Sequence, residues 1–410
     1  MHAHRFQAEL TPTQKTWAAQ AAGGNRWVYN EGRKFCIEAY KKDGSYPGYV
    51  ALAKKLTEWR AEHDWLKKGA SDAQQQSLID LDNGYKRFFK KLGKFPTKKS
   101  WKKSPAVLRF PNGANVNLSK LSKKDSTINL PKLGQVRFRQ SQPVLGRIRS
   151  VTLKRDRVFN WYVIILTDYS APSPVVPESA GKAVGIDMGV ARTATLSDGT
   201  SFNVPAPTKK DEAHLARLQR RLSRRQRDSK RYGRARLAVA KFHLKWQDRR
   251  KDILHKQSSR IVLENQEVYV EALKVKNMTA RCKGKGRAAK SGLNKSILRQ
   301  GWGMFHEMLA YKSARKDGNV FGKENPAFTS QECRKCHHID PGNRLSQAVF
   351  LCLKCGHKEN ADFNASHNIL VAGQATTARG RIVRPVVGGT SVRSRLAVRL
   401  KREPTGVSVV

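Results

Sequence analysis

The chain has 410 residues, 39% of them hydrophobic, enough for two or three domains with real cores. It carries 80 Lys and Arg against 32 Asp and Glu, a net charge of +48, which points to a polyanionic partner and first of all to nucleic acid. No apolar run reaches the roughly 18 residues of a membrane span, basic amphipathic anchors and lipidation signals are missing, and "MHAHRFQAEL" lacks a signal-peptide core, so a cytoplasmic protein without a membrane partner is expected.

Residues 5–10 read as a short strand. Residues 11–42 read as a helix that starts at Thr11-Pro12 and is interrupted near Gly23-Gly24. A second helical pattern covers 71–92, with Leu78, Leu81, Tyr85 and Phe88 at helical spacing. Between 86 and 105, Phe88, Phe89, Phe95 and Trp101 interleave with lysines. Two readings stay open there: base stacking beside phosphate contacts, or aromatics facing a core and lysines facing water. Residues 106–170 hold short β-like runs such as "QVRF" and "NWYVIILTDY", the pattern of a small antiparallel barrel or sheet. "APSPVVPESAGK" (171–182) reads as a linker.

The stretch "AVGIDMGVARTATLSDG" (183–199) begins as a strand buried on both faces, carries Asp187 inside the apolar run, and leads to a hairpin turning at Asp198-Gly199. Residues 211–263 read as two basic helices broken around 228–233, with Leu215, Leu218 and Leu222 as the buried stripe of the first and Leu237, Leu244, Ile253 and Leu254 of the second. Seventeen Lys and Arg lie between Arg217 and Arg260 against Asp228, Asp248 and Asp252, an imbalance that favours a polyanion surface over an ion-paired solvated face. A strand at 267–273, a helix at 296–316 and a strand at 319–324 follow, and 371–410 read as a basic, mostly disordered tail.

Six cysteines are present, and four form "CRKC" (333–336) and "CLKC" (352–355). Two such knuckles separated by a 15-residue spacer make Cys333, Cys336, Cys352 and Cys355 a tetrahedral Zn2+ set. Four thiolates close the coordination shell, so the site is structural; His337, His338 and His357 adjoin it without being needed. Three acids follow apolar strands or precede an apolar helix: Asp187, Glu271 in "VYVEAL" and Asp362 in "NADFNASHNIL". Singly, each has a plain explanation: an ion pair, a strand end, a helix N-cap. Two neighbouring strands and a helix start would bring all three to one sheet edge, where divalent cations relieve their repulsion. Mg2+ suits such oxygens, and two ions about 3.5–4 Å apart clamp the attacking water and leaving oxygen of a phosphodiester.

"GIDMGV", "VEALKVKNM" and "ADFNASHNI" resemble the three RuvC motifs of the transposon-encoded TnpB nucleases, and residues 329–357 resemble the zinc ribbon inserted in that domain. The resemblance extends to "NRWVYNEGRKF" (25–35), "INLPKLGQVRF" (128–138), "RRKDILHK" (249–256) and "GWGMFHEMLAYK" (301–312), nearly the whole chain apart from the tail. It implies a multidomain α/β protein: a wedge-like β-barrel (1–10 and 105–175), a helical recognition insert (11–104), and an RNase H-like RuvC nuclease domain (176–370) with its ribbon at about 326–360. It also implies an RNA-guided DNA endonuclease of the prokaryotic cytosol or nucleoid, related to the smallest type V CRISPR effectors. Its partners would be a guide RNA from the transposon end and a double-stranded target beside a short DNA motif. Asp187, Glu271 and Asp362 would hold Mg2+, with Mn2+ able to substitute, and cut both strands. Candidate nucleic-acid contacts are Gln75, by resemblance of "QQQSLIDL" (74–81) to a motif-reading segment, and the cations Lys98, Lys99, Arg224, Arg225, Arg249 and Arg250. Protein that grips a heteroduplex by its backbone needs many cations and little base-specific chemistry. Ala272, Met188 and His367 depart from the family pattern without removing a proposed ligand. The competing expectations are a nuclease-inactive RNA-guided repressor and an RNA-independent RuvC-type junction resolvase; the oligomeric state is open.

Overall fold

The computed structural model describes residues 1–101, 104–169, 181–281, 286–316 and 318–378. Most of the expected linker, Cys282 and residues 379–410 of the expected tail lie outside them. The chain forms two compact units, Met1–Pro172 with Pro207–Trp246, and Ser173–Ala206 with Gln247–Val410.

In the first unit, β1 (His2–Glu9) starts three residues before the expected strand. Thr11 caps α1 (Pro12–Asp43) through a capping box with Gln14, and Pro12 occupies the first turn. No break occurs at Gly23-Gly24: α1 runs on for 32 residues to the left-handed Gly44. Helix-interior glycines cost about 1 kcal/mol each, and the tertiary packing of the face bearing Ala18, Ala21, Ala22, Val28 and Tyr29 offsets that. The helices α2 (Gly48–Glu62), α3 (Asp64–Lys67) and α4 (Ser71–Phe89) follow, and α2 had no clear signature in the sequence. Leu52, Leu56, Leu66, Leu78, Leu81 and Tyr85 close a helical core on α1.

Six strands complete a seven-stranded, wholly antiparallel sheet: β2 (Val107–Phe110), β3 (Leu118–Lys120), β4 (Asp125–Leu130), β5 (Gly134–Arg139), β6 (Ile148–Arg155) and β7 (Trp161–Thr167). The order is β2-β6-β7-β1-β5-β4-β3. β1 pairs along its length with β7, from His2↔Thr167 to Ala8↔Trp161. Burial alternates along β7, as expected for a sheet with one dry face. The aromatics between 86 and 105 do not sink into a core. Phe88, Phe89 and Phe95 pack on one another and on Tyr85, yet are 37–50% exposed.

The second unit begins with β8 (Ala183–Asp187), β9 (Ala194–Leu196) and β10 (Ser201–Phe202). The last two form the expected hairpin, its turn held by Asp198 Oδ1 accepting from the Thr200 amide at 2.7 Å. Two basic helices follow in the chain, α5 (Lys209–Ser223) and α6 (Lys230–Glu264); α5 and the part of α6 up to Trp246 belong to the first unit. The break falls at 224–229, earlier than expected, and α5 has no fully buried residue, its leucines being half-buried. Then come β11 (Glu267–Glu271), α7 (Val275–Met278), α8 (Arg287–Gln300), α9 (Trp302–Ser313) and β12 (Val320–Glu324). The single helix expected at 296–316 is two, because Gly301 adopts φ +74 between α8 and α9. The ribbon strands β13 (Val349–Leu351) and β14 (Lys358–Asn360) lead into α10 (Ala361–Ala378), which carries the chain in helix well past the expected start of the tail at 371.

This sheet runs β10-β9-β8-β11-β12, with β8, β11 and β12 parallel. Val184, Ile186, Val268 and Val270 pack with Leu254 and Ile261 of α6 and Phe305 and Leu309 of α9. The opposite face carries α10 at very close range. A Cβ on Gly185 would lie 2.0 Å from the Ser366 carbonyl oxygen, and one on Gly373 would lie 2.2 Å from the Tyr269 ring. Among the described residues no helix is long and apolar enough to cross a membrane.

Candidate active site and four-cysteine centre

Asp187 ends β8 and Glu271 ends β11. The strands are adjacent and parallel, with Ile186 opposite Val270, so the next residue on each places a carboxylate at the same sheet edge. Asp362 sits in the first turn of α10. It is not the N-cap: Asn360 Oδ1 takes that role, accepting from the amides of Asp362 and Phe363 at 3.1 and 3.2 Å. The close contact at Gly185 sets α10 on β8 and so brings Asp362 to this edge.

All three carboxyls are shifted upward. Burial is the main cause for Asp187, with repulsion from Glu271 and then Asp362 adding to it, and its pKa is pushed up to about 8. Burial likewise raises Glu271, opposed by a hydrogen bond from Thr329 and by Arg344. Asp362 is raised by burial, against Arg344 and Arg192. Three acids that burial pushes toward the neutral form, with repulsion adding at Asp187, make a donor set suited to hard divalent cations.

Arg344 was not singled out by sequence. Its guanidinium NH2 lies 3.5 Å from Asp362 Oδ1, and its charge acts on all three acids. It belongs to the segment between the cysteine knuckles, where it is the only Lys or Arg, and that isolation is the one signal the sequence offers. The neighbouring Asn343, fully buried, donates to the carbonyls of Gln331 and His338 and accepts from the Leu353 amide, tying the two knuckles together beside Arg344.

The four cysteine sulfurs all lie within 4.8 Å of one another, with Cys333–Cys355 at 3.7 Å and Cys336–Cys352 at 3.5 Å. Tetrahedral bonds of about 2.3 Å put sulfurs roughly 3.8 Å apart, so the quartet fits Zn2+. The knuckles are alike: His337 and Gly356, four residues after Cys333 and Cys352, both turn with positive φ and both donate back to those cysteines' carbonyls. His337 and His357 reach Glu332 and Glu359.

The basic candidates differ in placement. Arg224 and Arg225 join Arg217, Arg220 and Arg221 at helical spacing and line a cleft of about 360 Å3. Gln75 is exposed on α4 between the buried Gln74 and Gln76. Lys98 is exposed, whereas the Lys99 ammonium sits 3.6 Å from the centre of the Tyr29 ring. Arg249 is exposed on α6. Arg250 NH1 donates to the carbonyls of Leu298 and Arg299 at the end of α8, which commits it to the fold.

Three acids at one sheet edge beside a four-cysteine centre fit the nucleic-acid-processing class, and family models divide the chain accordingly. A "Probable transposase" model matches residues 166–281, carrying Asp187 and Glu271. A "Cas12f1-like, TNB domain" model matches 302–369, carrying Arg344, the four cysteines and Asp362. A "Helix-turn-helix domain" model matches 1–45, which here form β1 and the unbroken α1. The chain is 38% identical to the "Putative RNA-guided DNA endonuclease InsQ" of Escherichia coli (strain K12), covering 93% of this chain and 95% of that one. It is 31% identical to a "Putative RNA-guided DNA endonuclease" of Streptomyces pristinaespiralis, covering 93% and 92%. A Cas12f1–sgRNA–target DNA complex solved by cryo-EM shares the fold with TM-score 0.52 at 14% identity, over 87% of this chain and 81% of that one. The chain belongs to the TnpB family, relatives of the type V effectors.

Proposed function

We propose that the protein is an RNA-guided DNA endonuclease of transposon origin, which binds a guide RNA from the transposon end and cleaves both strands of a matched target at the site of Asp187, Glu271 and Asp362. The observation that carries the reading is the meeting of three raised carboxyls and one arginine at the ends of β8 and β11 and the head of α10. Its relatives' names support the RNA-guided, DNA-cleaving part.

Asp187, Glu271 and Asp362 would together hold Mg2+. Bound there, the ions would supply Lewis acidity and an activated water for phosphodiester hydrolysis. Arg344 would pair with the scissile phosphate and neutralise charge that builds on it. Zn2+ on the four thiolates would hold the ribbon folded and Arg344 in place. The arginine face of α5, with Lys98, Lys99 and Arg249, would track phosphates, and Gln75 would contact the target-adjacent motif. In this reading the antiparallel sheet is the wedge barrel (1–10, 105–175), residues 11–104 the recognition insert and 176–370 the RuvC-like domain with its ribbon, in a protein of the prokaryotic cytosol or nucleoid.

The test is cleavage of a matched plasmid by the protein assembled with transposon-end RNA in Mg2+. The parent cuts both strands, and Asp187→Ala abolishes cutting while keeping RNA-dependent target binding. Undiminished cutting by that variant overturns the site.

A further inference from the structure

We propose that Thr329 is a positioning residue for Glu271: its hydroxyl tethers the acid, and Asn364 and Asn368 of α10 hold that hydroxyl in place through the ribbon's entry segment. The proposal rests on Glu271 acting as a ligand of the catalytic cation.

Thr329 and Glu271 are both buried, with Thr329 Oγ1 2.9 Å from Glu271 Oε1. The same hydroxyl is 3.1 Å from the Pro326 carbonyl oxygen. A threonine carries one hydroxyl proton, and Glu271 acting as a cation ligand is ionised, a stronger acceptor than a neutral carbonyl. The proton therefore goes to Glu271, fixing the plane of its carboxylate at the end of β11.

The hydroxyl in turn is held from α10. Asn368 Nδ2 donates to the Thr329 carbonyl at 2.9 Å and to the Glu332 carbonyl at 2.7 Å. Asn364 Nδ2 donates to that same Glu332 carbonyl at 2.7 Å, and Asn364 Oδ1 accepts from the Arg334 amide at 3.1 Å. The residue before Thr329, Phe328, has φ +64, a left-handed conformation that a bulky side chain rarely adopts. Its carbonyl receives the amides of Gln331 and Glu332, and its ring is largely exposed, so the turn is held by backbone and asparagine bonds and not by packing of the ring. Backbone strain of this kind persists where surrounding contacts over-determine it, and it clusters at functional sites.

One segment of six residues thus carries Thr329 at one end and Arg334, next to the ligand Cys333, at the other. It is pinned to the helix that bears Asp362, and its free end reaches Glu271. The order of the zinc knuckle and the orientation of a catalytic acid are properties of the same short strap. An oriented carboxylate gains metal affinity from such an outer partner, and loss of one typically costs 10–100-fold in metal affinity or activity.

The experiment compares Thr329→Val, which keeps the shape and removes the hydroxyl, with Thr329→Ser, which keeps the hydroxyl. Full-length protein is assembled with transposon-end RNA and matched DNA. Single-turnover cleavage is followed against Mg2+ concentration, Mn2+ binding to the protein without DNA is measured by calorimetry, and zinc is counted by mass spectrometry. Thr329→Val is expected to cut about 10–100-fold more slowly and to bind Mn2+ correspondingly more weakly. Its zinc content and RNA-dependent DNA binding stay at parental levels, and Thr329→Ser restores most of the rate. Parental rate and Mn2+ binding in Thr329→Val overturn the proposal, as does equal loss in both variants. Loss of zinc or of the melting transition in Thr329→Val assigns the hydroxyl to folding and overturns it too. Glu271→Gln is measured alongside: if that variant cuts like the parent, the reading of the acid site falls, whereas a dead Glu271→Gln with a parental Thr329→Val removes the positioning role alone.

Discussion

The seven-stranded and five-stranded sheets follow different burial rules. Along β7, Trp161, Val163, Ile165 and Thr167 are buried while Tyr162, Ile164 and Leu166 between them are half-buried. Along β11, the run Val268–Glu271 is buried without interruption, because α10 covers one face and α6 with α9 the other. Along β7 every second position has a wetter side to turn to. In β8 and β11 a charge has none, and both strands carry their charged residues only at their ends. Asp187 and Glu271 stand at those ends, and their raised pKa values are the consequence of putting acids where no water layer accompanies the strand.

The difference is broken most severely at Gly185. Ala there would place its Cβ 2.0 Å from the Ser366 carbonyl oxygen and 2.6 Å from the Leu370 nitrogen, both backbone atoms that have nowhere to move. The cost should exceed the 1–3 kcal/mol typical of overpacking. At about 2–4 °C per kcal/mol, Gly185→Ala lowers Tm by several degrees and reduces cleavage through displacement of Asp362; an unchanged melt would show that α10 does not seal this face. A smaller effect sharpens the contrast directly. Val270→Thr puts a hydroxyl into a two-sided core at about 1–3 kcal/mol, while Ile164→Thr on the half-buried side of β7 costs about 0.5–1 kcal/mol. Denaturant unfolding of each variant gives the ratio, and equal costs would erase the distinction between the sheets.

A separate effect is electrostatic and is read in buffer free of Mg2+ and Mn2+, with no chelator that would strip the ribbon's zinc. Asp187 has a folded-state pKa of about 8 against an ordinary 3.8. Between these values the folded state binds more protons than the unfolded one, so its stability falls as pH rises and levels off above about 8. Asp187→Asn removes that slope: it melts like the parent near pH 4 and above it at pH 8. A parent as stable at pH 8 as the variant would mean the acids already have enough countercharge from Arg344.

Much of this was legible locally. An apolar run interrupted by an acid marked β8, the cysteine spacing marked the two knuckles, and Asp198-Gly199 marked the hairpin, each being a signal carried by a few adjacent residues. What escaped depended on contacts distant in sequence. Gly23-Gly24 suggests a break, but α1 has a core to lie on; Gly301 looks no different in sequence and does break the helix. Arg344 and Thr329 have no local pattern of their own, since each matters only through an acid brought to it by the sheet and by α10. Asp362 is a poor helix cap because Asn360, two residues earlier, already holds the free amides.

The contact of α10 at Gly185 also sets which lengths of chain are free to vary. From Glu271 to Thr329 the described path includes α7, α8, α9 and the paired strand β12, so insertions between these elements leave the ends of β8 and β11 in place. From Asp362 to Leu370 the path is continuous helix clamped at Ser366 and Leu370. One added residue in that interval turns everything before it by about 100°, swinging Asp362 off the sheet edge. The connections between β11 and β12 can grow or shrink, while this stretch of helix behaves as a fixed ruler.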